Sequence, residues 1–343
     1  MRRALARLRA RLAALGRMPR WLVYVLTLAV AVGAVAFPPQ LPIRPRRDTL
    51  AAWRLGQSVR RGQAVFLWID FGFGAQEELE PMLDAVLVQL MRRGAVICFA
   101  ARAIEGSQIA QEAMEESAAP FPAYRDGYGR TWVNLGFRPA PDVALRAATT
   151  DLPAAYNGVD WHGRPLAAFP ITARISALRP PVFRLAYVFD WGDGYAAMMT
   201  YVSQVTGLPF VVGAITMEAP VIQPYVATGQ IAAVISGTRG AAEYEDLLGI
   251  HGEATPLQEG STVTATFVTL LLLAGNLGHW AGRDAGGDAG GNAGGDTDTG
   301  EGAGRSADTG EGPGSEGARE GIREEAREAR EAREGETRAH GRR

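Results

Sequence analysis

Five uninterrupted apolar runs lie in the middle of the chain. Residues 64–70, AVFLWID, and residues 184–190, RLAYVFD, each end in an aspartate, Asp70 and Asp190. A continuous apolar run of this length predicts a strand buried on both faces. Three similar runs predict further strands at residues 95–100, 208–215 and 231–235.

Helical periodicity alternates with these strands. Apolar positions recur at helical spacing from Gln76 to Arg93, with glutamates in the first turn and arginines in the last, as the helix dipole favours. Similar patterns predict helices at about residues 107–117 and 195–205, and another after the last strand. Strands that alternate with helices predict a three-layer α/β domain with a mostly parallel, Rossmann-like sheet.

Residues 120–183 interrupt this alternation. The stretch TWVNLGFRPAPDVALRAATTD, residues 131–151, predicts a short strand-like piece and then a helix. The stretch YNGVDWHGRPLAAFP, residues 156–170, has no regular period. A long loop inside a compact domain is often functional, so we expect it to cover the edge of the sheet or the site.

The N-terminus has the pattern of a signal anchor. Residues 1–20 carry seven arginines and no acid, and residues 21–37 are apolar and uncharged. This order predicts a basic cytoplasmic segment followed by a transmembrane helix. A cleaved signal peptide is the alternative, because AVA at residues 34–36 fits a cleavage site. Residues 38–50 are rich in proline and predict a spacer.

A second apolar segment, residues 262–280, follows the α/β domain, which we place at residues 51–260. It predicts a second transmembrane helix, with a buried core helix as the alternative. Two spans would place both termini in the cytoplasm and the domain outside the cell membrane. Arg44, Arg46 and Arg47 weaken the charge asymmetry, so the reverse orientation stays open.

Residues 281–343 form a charged tail. Its first part is glycine and acid with almost no apolar residue, which predicts disorder. Its last part pairs glutamate and arginine at helical spacing, which predicts a solvated helix.

Composition excludes several classes of function. The net charge of −2 gives no general attraction to nucleic acid. Cys98 is the only cysteine, so an intrachain disulfide is impossible, and its apolar surroundings predict a buried, inert thiol. The turn SGTRG is neither a Walker loop nor GxGxxG, and the sequence contains no HExxH or GxSxG motif. It therefore indicates no cofactor, and we assign no metal site.

Three stretches resemble a bacterial family that has no assigned function. They are NLGFRPA, DWHGRPL and ISGTRGAAEYEDLLG, and the resemblance covers residues 20–280 without the tail. In that family an α/β domain lies between an N-terminal and a C-terminal membrane segment. The resemblance implies this fold and topology but no activity.

Aspartates at strand ends are the candidate catalytic residues. Ligands of an open parallel sheet bind beyond the carboxyl ends of its strands, where Asp70, Asp190 and Asp193 lie. A buried carboxylate needs hydrogen bonds or a cation, so these residues fit a metal or polar ligand. The alternative is that each aspartate caps the following turn or helix.

The turn SGTRG after the last strand is a candidate anion site. Glycines let a backbone approach a ligand, arginine pairs with phosphate or carboxylate, and a helix N-terminus attracts negative charge. The predicted ligand-binding residues are Thr216, Ser236, Gly237, Thr238, Arg239 and Gly240. A tight corner also needs glycine, so a purely structural turn is the alternative.

These features favour a membrane-anchored α/β domain that binds a small anionic or other polar ligand, or a partner protein in the membrane. The alternative function is a membrane-bound, metal-assisted hydrolase or transferase that uses the strand-end aspartates.

Overall fold

The structure is a computed structural model that describes residues 19–287, with side chains described for residue 19 and residues 21–277. The predictions for the first 18 residues and for the tail beyond residue 287 lie outside the described residues.

Six parallel strands form one sheet in the order β3-β2-β1-β4-β5-β6. The five strands predicted from apolar runs are confirmed to within two residues at each end. The sixth, β3, is the strand-like piece of the central segment and lies at one edge. The α/β fold with a parallel, Rossmann-like sheet is therefore confirmed. The strands are β1 (Ala64–Asp70), β2 (Val96–Ala101), β3 (Trp132–Phe137), β4 (Phe183–Asp190), β5 (Phe210–Ala214) and β6 (Ala233–Ser236).

Helices connect the strands and flank the sheet. The predicted helices after β1, β2, β4 and β6 are present, and a helix after β5 was not predicted. The helix after β4 consists of three consecutive pieces, of which the middle one is π-helical. Besides the four-residue helices Pro122–Arg125 and Leu152–Ala155 and three short 3₁₀ helices, the described residues form helices α1 (Arg20–Ala36), α2 (Arg47–Gln57), α3 (Gln76–Arg93), α4 (Ile104–Ala118), α5 (Pro141–Ala148), α6 (Gly194–Ala197, Met198–Ser203, Gln204–Thr206), α7 (Ala219–Ala227), α8 (Gly237–Leu248) and α9 (Ala254–Gly287).

The two faces of β1 explain the three layers. Val65, Leu67 and Ile69 pack into a core with α2, α3, α4 and α8. Phe66 and Trp68 point to the other side, into a core that includes α5, α6 and α7. Side chains alternate along a strand, so a run that is apolar at every position must be covered on both faces.

Helix α3 shows how local sequence sets an element's ends. Glu77 and Glu78 lie in its first turn, and Arg92 and Arg93 lie in its last turn. Gly94 follows with φ 69°, the left-handed conformation that commonly ends a helix.

The long irregular segment before β4 covers the edge of the sheet. Leu166, Ile171 and Leu178 are buried in the second core. The Trp161 amide donates to the carbonyl oxygen of Asn134 on β3 at 2.8 Å. This segment therefore lies against the edge strand, at a place where unpaired backbone groups would otherwise face solvent.

Among residues 19–287, one helix is long and apolar enough to cross a membrane. Within Ala254–Leu277 of α9, a window of 18 residues has a mean hydropathy of 1.4, and only 6% of that window is buried, so this part of α9 is not a core helix. Helix α1 is apolar but has 17 residues, at the short end for a span. The predicted pair of transmembrane helices is therefore not confirmed, and one candidate span remains.

The end of α1 and the start of α9 lie together beside the domain. Glu259 of α9 is buried and accepts hydrogen bonds from the amides of Gln40 at 3.0 Å and Leu41 at 2.8 Å. A Cβ added to Gly260 would lie 2.5 Å from Val35, so glycine allows the two helices to approach closely. The spacer after α1 is thus fixed to the base of α9.

Candidate functional site

The ends of β1 and β4 meet at the centre of the sheet. The order in which the chain adds strands reverses there, because β2 and β3 follow β1 on one side of the sheet and β5 and β6 follow β4 on the other. Asp70 and Asp190 are register partners across this boundary. In doubly wound sheets the crevice beyond such a switch point is where ligands bind. The predicted aspartates are therefore neighbours at the position where this fold places a site.

Asp190 is fully buried, and both of its carboxylate oxygens accept backbone hydrogen bonds. Oδ1 accepts the amides of Gly192 at 3.0 Å and Gly194 at 3.2 Å. Oδ2 accepts the amide of Tyr195 at 2.9 Å. These bonds shape the turn from β4 into α6, and they correspond to the capping role that the sequence left open.

Asp70 and Asp193 are joined by an arginine that the sequence analysis did not single out. Arg102 Nη1 lies 3.2 Å from Asp70 Oδ2 and 2.6 Å from Asp193 Oδ1. Its Nε lies 3.2 Å from Asp142 Oδ1, at the start of α5. Arg102 directly follows β2, and this position after a strand was the signal that could have identified it. Its guanidinium links three loops of the carboxyl edge.

Two carboxyls of the crevice, those of Asp70 and Glu218, have raised pKa values. Burial and the neighbouring Asp190 raise the pKa of Asp70 to about 7, although Arg102 opposes this. Burial and the charges of Asp190, Asp70 and Asp193 raise the pKa of Glu218 to about 7. Glu218 Oε2 is buried and accepts no hydrogen bond from the described residues. Carboxyls with such pKa values can carry or release a proton near neutral pH.

Arg102, rather than a metal-ligand geometry, organises these carboxylates. Among the described residues, no three His, Cys, Asp or Glu side chains are arranged so that they could hold a metal ion. The Asp70 and Asp193 carboxylates converge on the guanidinium, which supplies the positive charge that a buried carboxylate requires.

The turn after β6 packs against other side chains of the protein, those of Thr216 and Glu78. Gly237 has φ 59°, and a Cβ there would lie 2.1 Å from Thr216 Oγ1 and 2.6 Å from Glu78 Oε1. Glu78 Oε1 accepts the Thr216 amide at 2.7 Å and also the Thr216 hydroxyl. A Cβ on Gly240 would meet Ile235 at 3.1 Å. Thr216 and Gly237 are thus neighbours, and the Glu78 carboxylate lies beside them at the start of α8.

The Arg239 side chain forms an ion pair with Glu243 of its own helix, not with a group of that turn. Its Nε donates to Glu243 Oε1 at 3.0 Å, one helical turn further along α8. Arg46 donates from its Nε to the same oxygen at 3.0 Å and from Nη2 to the Ser236 carbonyl at 3.2 Å. Thr238 is half-buried and makes no side-chain hydrogen bond within the described residues. The predicted anion-binding role of this turn stays a prediction.

A cleft of about 420 Å³ opens beside Arg102 and Asp70. Its other wall is the start of α5, with Asp142 and Val143. Ala140 in this wall has φ 53°, a conformation that is uncommon outside glycine and that clusters at ligand sites.

Exposed apolar side chains surround the crevice. Each follows a different strand, from β1 to β5, and all lie along the carboxyl edge. Their exposed fractions range from 51% for Trp191 to 84% for Met217. The Trp191 ring packs over Gly74, where an added Cβ would lie 3.5 Å from it. These exposed residues are Phe73, Ile104, Val143, Trp191 and Met217.

Replacing Asp190 with asparagine should lower the free energy of unfolding by about 1–3 kcal/mol, because an amide NH₂ would face buried backbone donors. Guanidinium denaturation of the full chain in an uncharged detergent measures this loss. Asp193→Asn is the control, because the Asp193 side chain is 75% exposed and its ion pair should be worth at most about 1 kcal/mol. Equal losses in the two variants would contradict the capping role.

No protein-family model, curated protein or solved structure is significantly similar to the chain. The resemblance to the bacterial membrane-anchored family stays a prediction.

Proposed function

We propose that the chain is a membrane-anchored binding module, and that a partner protein with basic and apolar side chains docks on the carboxyl edge of its sheet. The observation that supports this proposal most is the series of exposed apolar residues in the loops and first helical turns that follow five strands, β1 to β5. Such residues are normal singly, but several around one crevice favour an interaction surface.

The charge of this edge favours a basic partner. The crevice and its rim contain more carboxylates than cations, and the nearest cation, Arg102, is already paired with three aspartates. An acidic surface favours a positively charged partner and accelerates its association. The acidic residues in the loops and first helical turns of this edge are Asp70, Glu77, Glu78, Glu105, Asp142, Asp190, Asp193 and Glu218.

A small anionic ligand has less support than a cationic partner. The N-terminus of a helix attracts anions through its free amides. Here Asp190 accepts the first amides of α6, and Glu78 lies against Gly237 at the start of α8. These carboxylates would repel an incoming phosphate or carboxylate.

We also propose that α9, together with α1, anchors the domain in the cell membrane, with the domain outside and both termini in the cytoplasm. The apolar, exposed surface of α9 and the contact between the two helices at Gly260 support this arrangement. Protease treatment of intact cells should digest the domain. A domain that resists protease until the cells are opened would rule out this orientation.

The alternative is a membrane-bound hydrolase or transferase. The raised pKa values of Asp70 and Glu218 favour it, because a general acid or base works best near the operating pH. Divalent-metal stabilisation that Asp190→Asn abolishes would favour the metal-assisted form. No metal effect on the melting temperature would count against that form.

Two peptides of opposite charge test the binding proposal. We expect the full chain in uncharged detergent to bind a fluorescent peptide of alternating arginine and leucine, and not its glutamate–leucine counterpart. Trp191→Ser should weaken this binding roughly tenfold, as expected of an aromatic anchor. Val205→Ser is the matched control, because Val205 is 70% exposed at the end of α6, away from the carboxyl edge. Equal binding of both peptides, or no effect of Trp191→Ser, would reject the proposal.

A further inference from the structure

A cavity of about 620 Å³ lies at the opposite, amino edge of the sheet, where β2 begins. Four arginines line it: Arg61, Arg92, Arg93 and Arg174. Its other lining residues are apolar or uncharged, and none is a carboxylate. The cavity is therefore a concave surface with a strongly positive charge.

Separate elements bring these arginines together. Arg61 lies between α2 and β1, Arg92 and Arg93 end α3, and Arg174 belongs to the segment before β4. None of the four forms an ion pair with a carboxylate in the part of the chain that the structure describes. Arginines in the last turn of a helix interact favourably with the helix dipole. This interaction explains the positions of Arg92 and Arg93, but not those of Arg61 and Arg174.

Backbone carbonyls hold two of the side chains in place. Arg92 Nη1 donates to the Leu248 carbonyl at 2.7 Å, at the end of α8. Arg93 Nε donates to the Val59 carbonyl at 2.9 Å. Each guanidinium has further N–H groups that donate no hydrogen bond to the described residues and can bind a ligand. Side chains held in this way lose less entropy when an anion binds.

We propose that this arginine cavity binds a phosphate group, since guanidinium forks match phosphate oxygens and make charge-assisted hydrogen bonds to them. The location allows two sources of phosphate. Arg92 also lines a neighbouring cleft with residues 250–253, the loop that leads into α9. An anionic lipid headgroup near the base of α9 and a soluble phosphate compound share the chemistry that the cavity recognises.

The test measures binding of two probes to the full chain in uncharged detergent by isothermal titration calorimetry. The probes are inorganic pyrophosphate and short-chain phosphatidylglycerol, with short-chain phosphatidylcholine as the zwitterionic control. We expect at least one anionic probe to bind more tightly than phosphatidylcholine. Pyrophosphate binding would identify a soluble ligand, and binding of phosphatidylglycerol alone would identify a lipid.

Charge reversal locates the site. The double variant Arg61→Glu/Arg174→Glu should weaken binding by roughly tenfold or more, because it replaces two donors of charge-assisted hydrogen bonds by groups that repel phosphate. Arg146→Glu/Arg179→Glu is the matched control, because both arginines are exposed and neither lines the cavity. Arg174→Ala, in an exposed position, should weaken binding while leaving the melting temperature without probe unchanged. Absence of binding by both anionic probes, or equal weakening in the control, would overturn the proposal.

Discussion

Replacing Glu243 with alanine should lower the free energy of unfolding by about 1.5–3 kcal/mol or more, because it removes several hydrogen bonds to a buried charged group. Glu243 is fully buried in α8 and accepts hydrogen bonds from four donors. The donors are the Arg46 amide at 3.1 Å, Arg46 Nε at 3.0 Å, the Thr49 hydroxyl at 2.6 Å and Arg239 Nε at 3.0 Å. Alanine would leave the buried Thr49 hydroxyl without this acceptor and release the start of α2 from α8.

The control is Arg239→Ala, which removes one exposed partner and leaves the others. Arg239 has a side chain that is 59% exposed, so its loss should cost at most about 1 kcal/mol. Guanidinium denaturation of both variants measures the difference. A loss below about 1 kcal/mol for Glu243→Ala would show that Glu243 does not hold α2 against α8.

Replacing Asp84 with asparagine should stabilise the protein increasingly as the pH rises from about 4 to 7. Burial and the neighbouring Glu80 raise the pKa of the Asp84 carboxyl to about 7, while the Ser117 hydroxyl opposes this. An unfolded aspartate has a pKa of about 3.9. Between these values the unfolded state loses its proton first, so the wild-type contribution to stability falls as pH rises.

Asparagine does not titrate, so the variant escapes that loss. Its advantage over the wild type should be flat below about pH 4, grow up to about pH 7 and then level off. One pKa unit is worth about 1.4 kcal/mol, which sets an upper bound of roughly 4 kcal/mol on this change. Denaturation at several pH values measures it, and Ser117→Ala should keep the wild-type slope because the carboxyl remains. A variant-minus-wild-type difference that does not change with pH would show that Asp84 ionises normally in the folded protein.

Most of the sheet was predictable because its strands are buried on both faces. The apolar run of β1 has no polar interruption before Asp70, so length and hydrophobicity suffice. The apolar pattern of β3 is weaker, because Asn134 and Gly136 interrupt it. In the structure the Asn134 side chain is buried and donates to the Ser107 carbonyl at 2.9 Å, a partner that local sequence does not reveal. Helix α7 was missed because Pro220 and Pro224 weaken its helical pattern.

The candidate site was predictable only in part. The rule that parallel strands end at one edge brought Asp70 and Asp190 together correctly. It could not show that Glu78 bonds to Thr216, because 138 residues separate them. Nor could it show that Arg239 would pair with Glu243 on its own helix instead of facing the turn. Sequence distance hides the first of these partners, and the second is a choice between a neighbour on the same helix and a group of the turn, which spacing alone does not decide.

Photo-cross-linking in the protein's native cells tests the central claim most directly. A photoreactive residue at Met217 reports on the carboxyl edge, and one at Val205 reports on an exposed position elsewhere. We predict a discrete adduct from Met217 to a protein whose cross-linked surface is basic and apolar, no such adduct from Val205, and loss of the adduct when Trp191→Arg is added. No adduct from Met217, or the same adducts from both positions, would contradict a docking surface at this edge.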